Sequence, residues 1–130
     1  MAAELKTPKI NKLRDQETGQ RGEDLALELA VSRGWQAWQR QVRVGKTEID
    51  LALLRDRPDG RHLLLLEVKT TRGDGLDHAR RWSSAQQRRL WRAAEVLVEQ
   101  AEASHVEVAL VLVQLAVDRE TVTWLDAQPF

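Results

Sequence analysis

Two charged triplets, Glu48-Ile49-Asp50 and Glu67-Val68-Lys69, carry the clearest chemical signal in this chain. Sixteen residues separate them, and the second closes the apolar run Leu63-Leu64-Leu65-Leu66. An acid on one strand, with an acid and a lysine on the next, suits a Mg²⁺-dependent phosphodiesterase. The carboxylates can hold a hard cation, and the lysine supplies a fixed positive charge beside the scissile phosphate. Spacing alone is a weak signal, because Glu4-Leu5-Lys6 also matches acid-x-lysine. Context separates the two: Glu67 and Lys69 interrupt an apolar face at a strand end, where unpartnered charges are costly to bury. The competing reading of Asp50, Glu67 and Lys69 is a buried salt-bridge cluster with no chemistry attached.

These residues need elements to position them. Leu25, Ala26, Leu29 and Ala30 recur at helical spacing and predict a helix over 22–33, stopped by Gly34. Glu23 falls on the edge of that stripe, placed either to join a site or to complement the helix dipole. Strands are expected over 35–44 and 47–54, turned by Gly45-Lys46. In the second, alternation puts Ile49, Leu51 and Leu53 on one face and Glu48, Asp50, Ala52 and Leu54 on the other. A turn around Pro58-Asp59-Gly60 leads to a strand over 62–70. That strand is apolar on both faces, hence central and covered on both sides. The two strands read as a hairpin, which lets Asp50 and Glu67 approach each other. Trp82-Ser83-Ser84 can cap a helix over 85–103, and strands over 106–117 and 120–125 follow. The result is an α/β fold in the order α-β-β-β-α-β-β, with a mixed central sheet flanked by helices.

The chain of 130 residues suits one folded domain over 19–130, preceded by a polar arm over 1–18 that reads as flexible. Cysteine is absent, which excludes disulfides and thiolate metal sites. No signal peptide or membrane-length apolar run is visible, so a cytoplasmic location is the default expectation. Net charge is formally zero, which argues against a generic DNA-coating protein. Charge is uneven, however: residues 72–92 hold six arginines (72, 80, 81, 88, 89, 92) against two aspartates (74, 77). Such a stretch can bind a phosphate backbone or simply form a solvated face. His62, His78 and His105 have no ligand-like spacing, which argues against a zinc site. Of the five tryptophans, Trp35, Trp91 and Trp124 read as core, whereas Trp38 and Trp82 sit among polar neighbours and read as exposed.

Four motifs bring these readings together: Gly19-Gln20-Arg21-Gly22-Glu23-Asp24-Leu25-Ala26; Arg43 with Glu48-Ile49-Asp50-Leu51; Glu67-Val68-Lys69-Thr70-Thr71-Arg72; and Gln86-Gln87-Arg88-Arg89-Leu90. In these the chain resembles the YraN-type uncharacterised family of the PD-(D/E)XK, or restriction-endonuclease-like, nuclease superfamily, distantly similar to archaeal Holliday-junction resolvases. The resemblance covers residues 19–130, with His105-Val106-Glu107-Val108 and Pro129-Phe130 loosely matching its closing strands. It departs at Thr47, where the family has glycine, at Gln41, where it has asparagine, and at Gln86, where it has lysine.

The resemblance implies that Asp50, Glu67 and the Val68 carbonyl ligate Mg²⁺ or Mn²⁺, and that Glu23 binds a second metal or anchors a metal-bound water. Lys69 would orient or deprotonate the attacking water, and Gln86 would position water or phosphate. Arg72, Arg88 and Arg89 would contact the backbone of nucleic acid. The expected activity is endonucleolytic cleavage of DNA, in branched or single-stranded forms among others, with RNA an open alternative. A homodimer would let two sites cut two strands. The alternative from another class is a non-catalytic nuclease-fold module that binds nucleic acid or a protein partner.

Overall fold

Four consecutive leucines in one strand cannot all face one layer, so the sheet they enter must be covered twice. The computed structural model of the chain describes residues 2–72 and 82–127, with side chains from residue 16 onward. Its elements are α1 (Ala2–Ser32), β1 (Gln36–Val44), β2 (Thr47–Arg57), β3 (Gly60–Arg72), α2 (Ser84–Gln100), β4 (His105–Leu115) and β5 (Glu120–Asp126). The five strands form one sheet in the order β1-β2-β3-β4-β5. All neighbours are antiparallel except β3 and β4, which are parallel and joined by the α2 crossover. This is the α-β-β-β-α-β-β order expected from the sequence. Among the described residues no helix is long and apolar enough to cross a membrane.

The two faces of β3 divide the core. Leu63 and Leu65 pack with Leu90, Ala93, Ala94 and Leu97 of α2. Leu64 and Leu66 pack on the other side with Ala26 and Ala30 of α1 and with Ala109, Val111 and Val113 of β4. All four leucines are at most 1% exposed. Burying each such side chain contributes about 1.5–3 kcal/mol, so this strand anchors the fold.

Local chemistry sets the helix ends. Ser83 caps α2: its hydroxyl accepts from Gln86 N–H (3.1 Å), and Gln86 Oε1 accepts from Ser83 N–H (3.2 Å). At the end of α1, Gly34 takes φ +94°, Trp35 N–H reaches Ala30 O and Gly34 N–H reaches Val31 O. Those two bonds close the helix as a glycine C-terminal motif does.

Three expectations need correction. First, α1 begins at Ala2, not at residue 22, so residues 2–18 are its N-terminal part. They lack the apolar stripe that made the later turns legible. Second, Ile49 does not share a face with Leu51 and Leu53. It packs under α2 with Ala52, while Leu51 and Leu53 pack under α1. Third, Trp38 and Trp82 are not exposed. Both are half-buried against the α2-side core, because their rings pack on its apolar side chains whatever the polarity of their neighbours in sequence. Trp35 is buried, and Trp91 and Trp124 are partly so. His78, Arg80, Arg81 and the Pro129-Phe130 end lie outside the described residues.

At Gly22 α1 lies close against the sheet. A Cβ there would overlap the Thr70 side chain on β3. Gly22→Ala is expected to lower stability by about 1–2 kcal/mol, the overpacking cost outweighing the gain in helix propensity. Urea denaturation would show this as a lower midpoint with an unchanged slope.

Candidate active site

The β2–β3 ladder ends toward the site at the pair Leu51↔Leu66. Beyond it Val68 N–H has no backbone partner on β2. The Asp50 carboxylate takes that role, its Oδ2 accepting from Val68 N–H at 2.8 Å. The period-two pattern of β2 breaks at the same residue. On β1, Gln41 lies between the partners of Leu51 and Ile49 and has φ +53°. The left-handed Gln41 on β1 thus stands opposite the point where Ile49 and Leu51 part to different faces. Asp50 is held at the sheet end rather than along a flat strand.

Glu67 stands beside it. Both carboxyl groups are half-buried, and the Asp50 charge acts on Glu67. Burial pushes Asp50 up to about 6, partly offset by the Val68 N–H, and the charges of Glu23 and Glu48 push in the same direction as burial. Burial and the Asp50 charge push Glu67 up to about 7, against the pull of Lys69. Two acids in one partly dry place cannot both ionise cheaply without a cation.

Lys69, two residues further along the same face, donates from Nζ to Gln86 Oε1 at 3.4 Å. Gln86 is also the residue that closes the α2 capping box. One side chain therefore fixes the start of α2 and orients the lysine. Glu67 and Gln86 also line a cleft of about 400 Å³, together with Lys46, Thr47, Glu48, Trp82, Arg89 and Leu90.

Glu23 comes from α1. It lies in mid-helix, so a dipole role at a helix start is ruled out. Its carboxylate accepts from Gln41 Nε2 at 2.7 Å and lies 3.6 Å from Arg40 Nη2. Its charge reaches Asp50. The sequence-predicted set Glu23, Asp50, Glu67, Lys69 and Gln86 is thus brought together. The arginines divide. Arg89 lines the cleft, whereas Arg72 binds Thr18 Oγ1 (2.8 Å) and ties β3 to α1. Arg88 is exposed, with Nε turned to Ser84 O at 3.4 Å.

Sequence reasoning missed Gly22, Gln41, Lys46 and Trp82 as parts of the site. Gln41 did carry a signal: the asparagine of the resembled family is the residue that best tolerates a left-handed φ. Thr47 is not in that region, since Gln41 and Glu102 are the non-glycines with positive φ among the described residues. Threonine in place of the family's glycine therefore costs no backbone strain.

The donors fit a hard cation. The Asp50 and Glu67 carboxylates offer oxygen donors, the kind that suits Mg²⁺ or Mn²⁺ and not a soft metal. Residues 22–113 match the sequence model described as "Uncharacterised protein family UPF0102". No curated protein matches the chain at a significant level.

Proposed function

We propose that this chain, which belongs to the uncharacterised protein family UPF0102, is a divalent-metal-dependent endonuclease of the PD-(D/E)XK kind acting on nucleic acid, DNA first. The observation that carries this reading is the half-buried pair of acids, Asp50 and Glu67, at the end of the sheet beside a lysine that Gln86 orients. A structural salt-bridge cluster would pair opposite charges. Here burial and neighbouring acids push both carboxyl groups up, an arrangement a bound cation relieves.

Asp50, Glu67 and the Val68 carbonyl would hold Mg²⁺ or Mn²⁺, with Glu23 close to Asp50. When bound, the ion neutralises charge on the scissile phosphate and acidifies water. Lys69 offsets charge that develops on the phosphate and holds the attacking water in place. Gln86 fixes the ammonium. Arg89 and Lys46, on the wall shared with Glu67, attract the phosphate backbone.

The test is cleavage of linear, branched and single-stranded DNA, and of RNA, with Mg²⁺ or Mn²⁺. Wild type is expected to cut at least one of them, and Lys69→Ala to be slower by about 10²–10³-fold. Binding without cutting in either metal would instead mark a non-catalytic module. Arg89→Ala is expected to weaken binding of every substrate alike and to lower the salt slope by about 1.

A further inference from the structure

At the far end of β3 three groups meet that the site above does not use. His62 begins the buried part of β3, and His105 begins β4. The two are partners in the parallel ladder, so their side chains stand on the same face. Their rings stack with centroids 4.3 Å apart and planes 8° from parallel. Asp59, in the β2–β3 turn, reaches both: Oδ1 is 2.8 Å from His62 Nε2, and Oδ2 is 3.6 Å from His105 Nε2. The strand register brings together residues that linear spacing does not.

We infer that Asp59, His62 and His105 form a binding site for a divalent transition-metal ion of the Zn²⁺ type, separate from the carboxylate site. One donor atom from each residue lies within 4.8 Å of the others. Ligands about 2.0–2.2 Å from a tetrahedral Zn²⁺ stand roughly 3.3–3.5 Å apart, so modest side-chain rotation closes the set. Two imidazoles and one carboxylate favour Zn²⁺, Ni²⁺ or Cu²⁺ over Mg²⁺ or Ca²⁺. Each ring turns to aim its lone pair at a shared ion, and binding breaks the parallel stack.

The surroundings prepare His105 for this. Ser104 Oγ lies 3.0 Å from His105 Nδ1 and 3.4 Å from Arg61 O. A hydroxyl that donates to Arg61 O accepts from Nδ1–H, which leaves Nε2 as the free lone pair facing Asp59. Ser104 is held by its N–H bond to Arg61 O at 2.9 Å. Gly60 makes room for it, since a Cβ there would overlap the Ser104 hydroxyl. His62 precedes Glu67 by five residues, roughly 16 Å along an extended strand, so one ion cannot serve both sites.

The experiment is calorimetric titration of Zn²⁺ into the whole chain with Mg²⁺ in excess, which occupies the oxygen-donor site. Wild type and Asp50→Asn are expected to bind one Zn²⁺ per chain with equal affinity. His105→Ala and Asp59→Asn are each expected to bind at least tenfold more weakly. The His62 and His105 ring resonances should shift together on binding in wild type. Equal affinity in wild type and His105→Ala overturns the inference, as does the lack of saturable binding in wild type. Circular dichroism of the metal-free variants separates loss of the site from loss of the fold, and Asp59→Asn decides should His105→Ala fail to fold.

Discussion

Asp50→Asn is expected to slow cleavage by at least ~10³-fold and, at about pH 8 without metal, to make the protein more stable by roughly 1–3 kcal/mol. Asparagine keeps an oxygen to accept the Val68 N–H that Asp50 Oδ2 accepts at 2.8 Å. It removes the charge that burial, Glu23 and Glu48 all disfavour. In the fold Asp50 titrates at about 6, against 3.8 when exposed. A shift of that size corresponds to on the order of 3 kcal/mol of destabilisation once both states are ionised, and partial exposure of the site lowers it. Gain of stability with loss of activity is the outcome that distinguishes a functional carboxylate from a structural one. A structural acid replaced by its amide would lose stability. Urea denaturation in the presence of a chelator, paired with single-turnover cleavage, reads both quantities.

The second large effect is the pH dependence of the metal-free protein. Both Asp50 and Glu67 have folded-state values above their unfolded ones, at about 6 and about 7. Between about pH 4 and 7 the native state therefore binds more protons than the unfolded chain, and stability falls as pH rises through that window. Metal-free wild type is expected to lose on the order of 3 kcal/mol between about pH 5 and 8. Asp56, Asp59 and Glu120 are shifted downward by Arg61, His62 and Arg21 respectively. Their contribution is lost on acidification below the ordinary carboxylate range, outside this window. Mg²⁺ should flatten or reverse the slope, because it binds the ionised pair in the native state; tenfold excess over the dissociation constant adds about 1.4 kcal/mol. Thermal melts across the pH range, with and without Mg²⁺, check the sign. A metal-free protein that gains stability from pH 5 to 8 would contradict the pairing of the two acids.

The parts of this architecture written in local chemistry were legible in the sequence. The serines before the second helix, Gly34 after an apolar helical stripe, and four leucines in a row each specify an element within a few residues. Glu67 and Lys69 were legible because they break an apolar face at a strand end. What was hidden depends on contacts distant in sequence. Strict alternation placed Ile49 with Leu51, and only the left-handed Gln41 and the end of the β2–β3 ladder reveal the break at Asp50. A helix-dipole role for Glu23 stayed open beside a site role because the preceding turns lack an apolar stripe, although the helix runs on to Ala2. Gly22 looked like an ordinary helix residue until Thr70 was found against it. His62 and His105 meet through strand register, which no spacing rule in the chain encodes.

The most direct measurement is titration of Mn²⁺ into metal-free wild-type and Asp50→Asn protein at about pH 6.5, in two buffers of different ionisation enthalpy, so that ions bound and protons released are counted together. Mn²⁺ prefers the oxygen donors of the carboxylate pair over the paired imidazoles. Wild type should bind an ion at the Asp50–Glu67 pair and release roughly one proton, and the variant should do neither there. Binding of equal strength and proton count in both proteins, or none by wild type at millimolar Mn²⁺, would contradict a cation shared by Asp50 and Glu67.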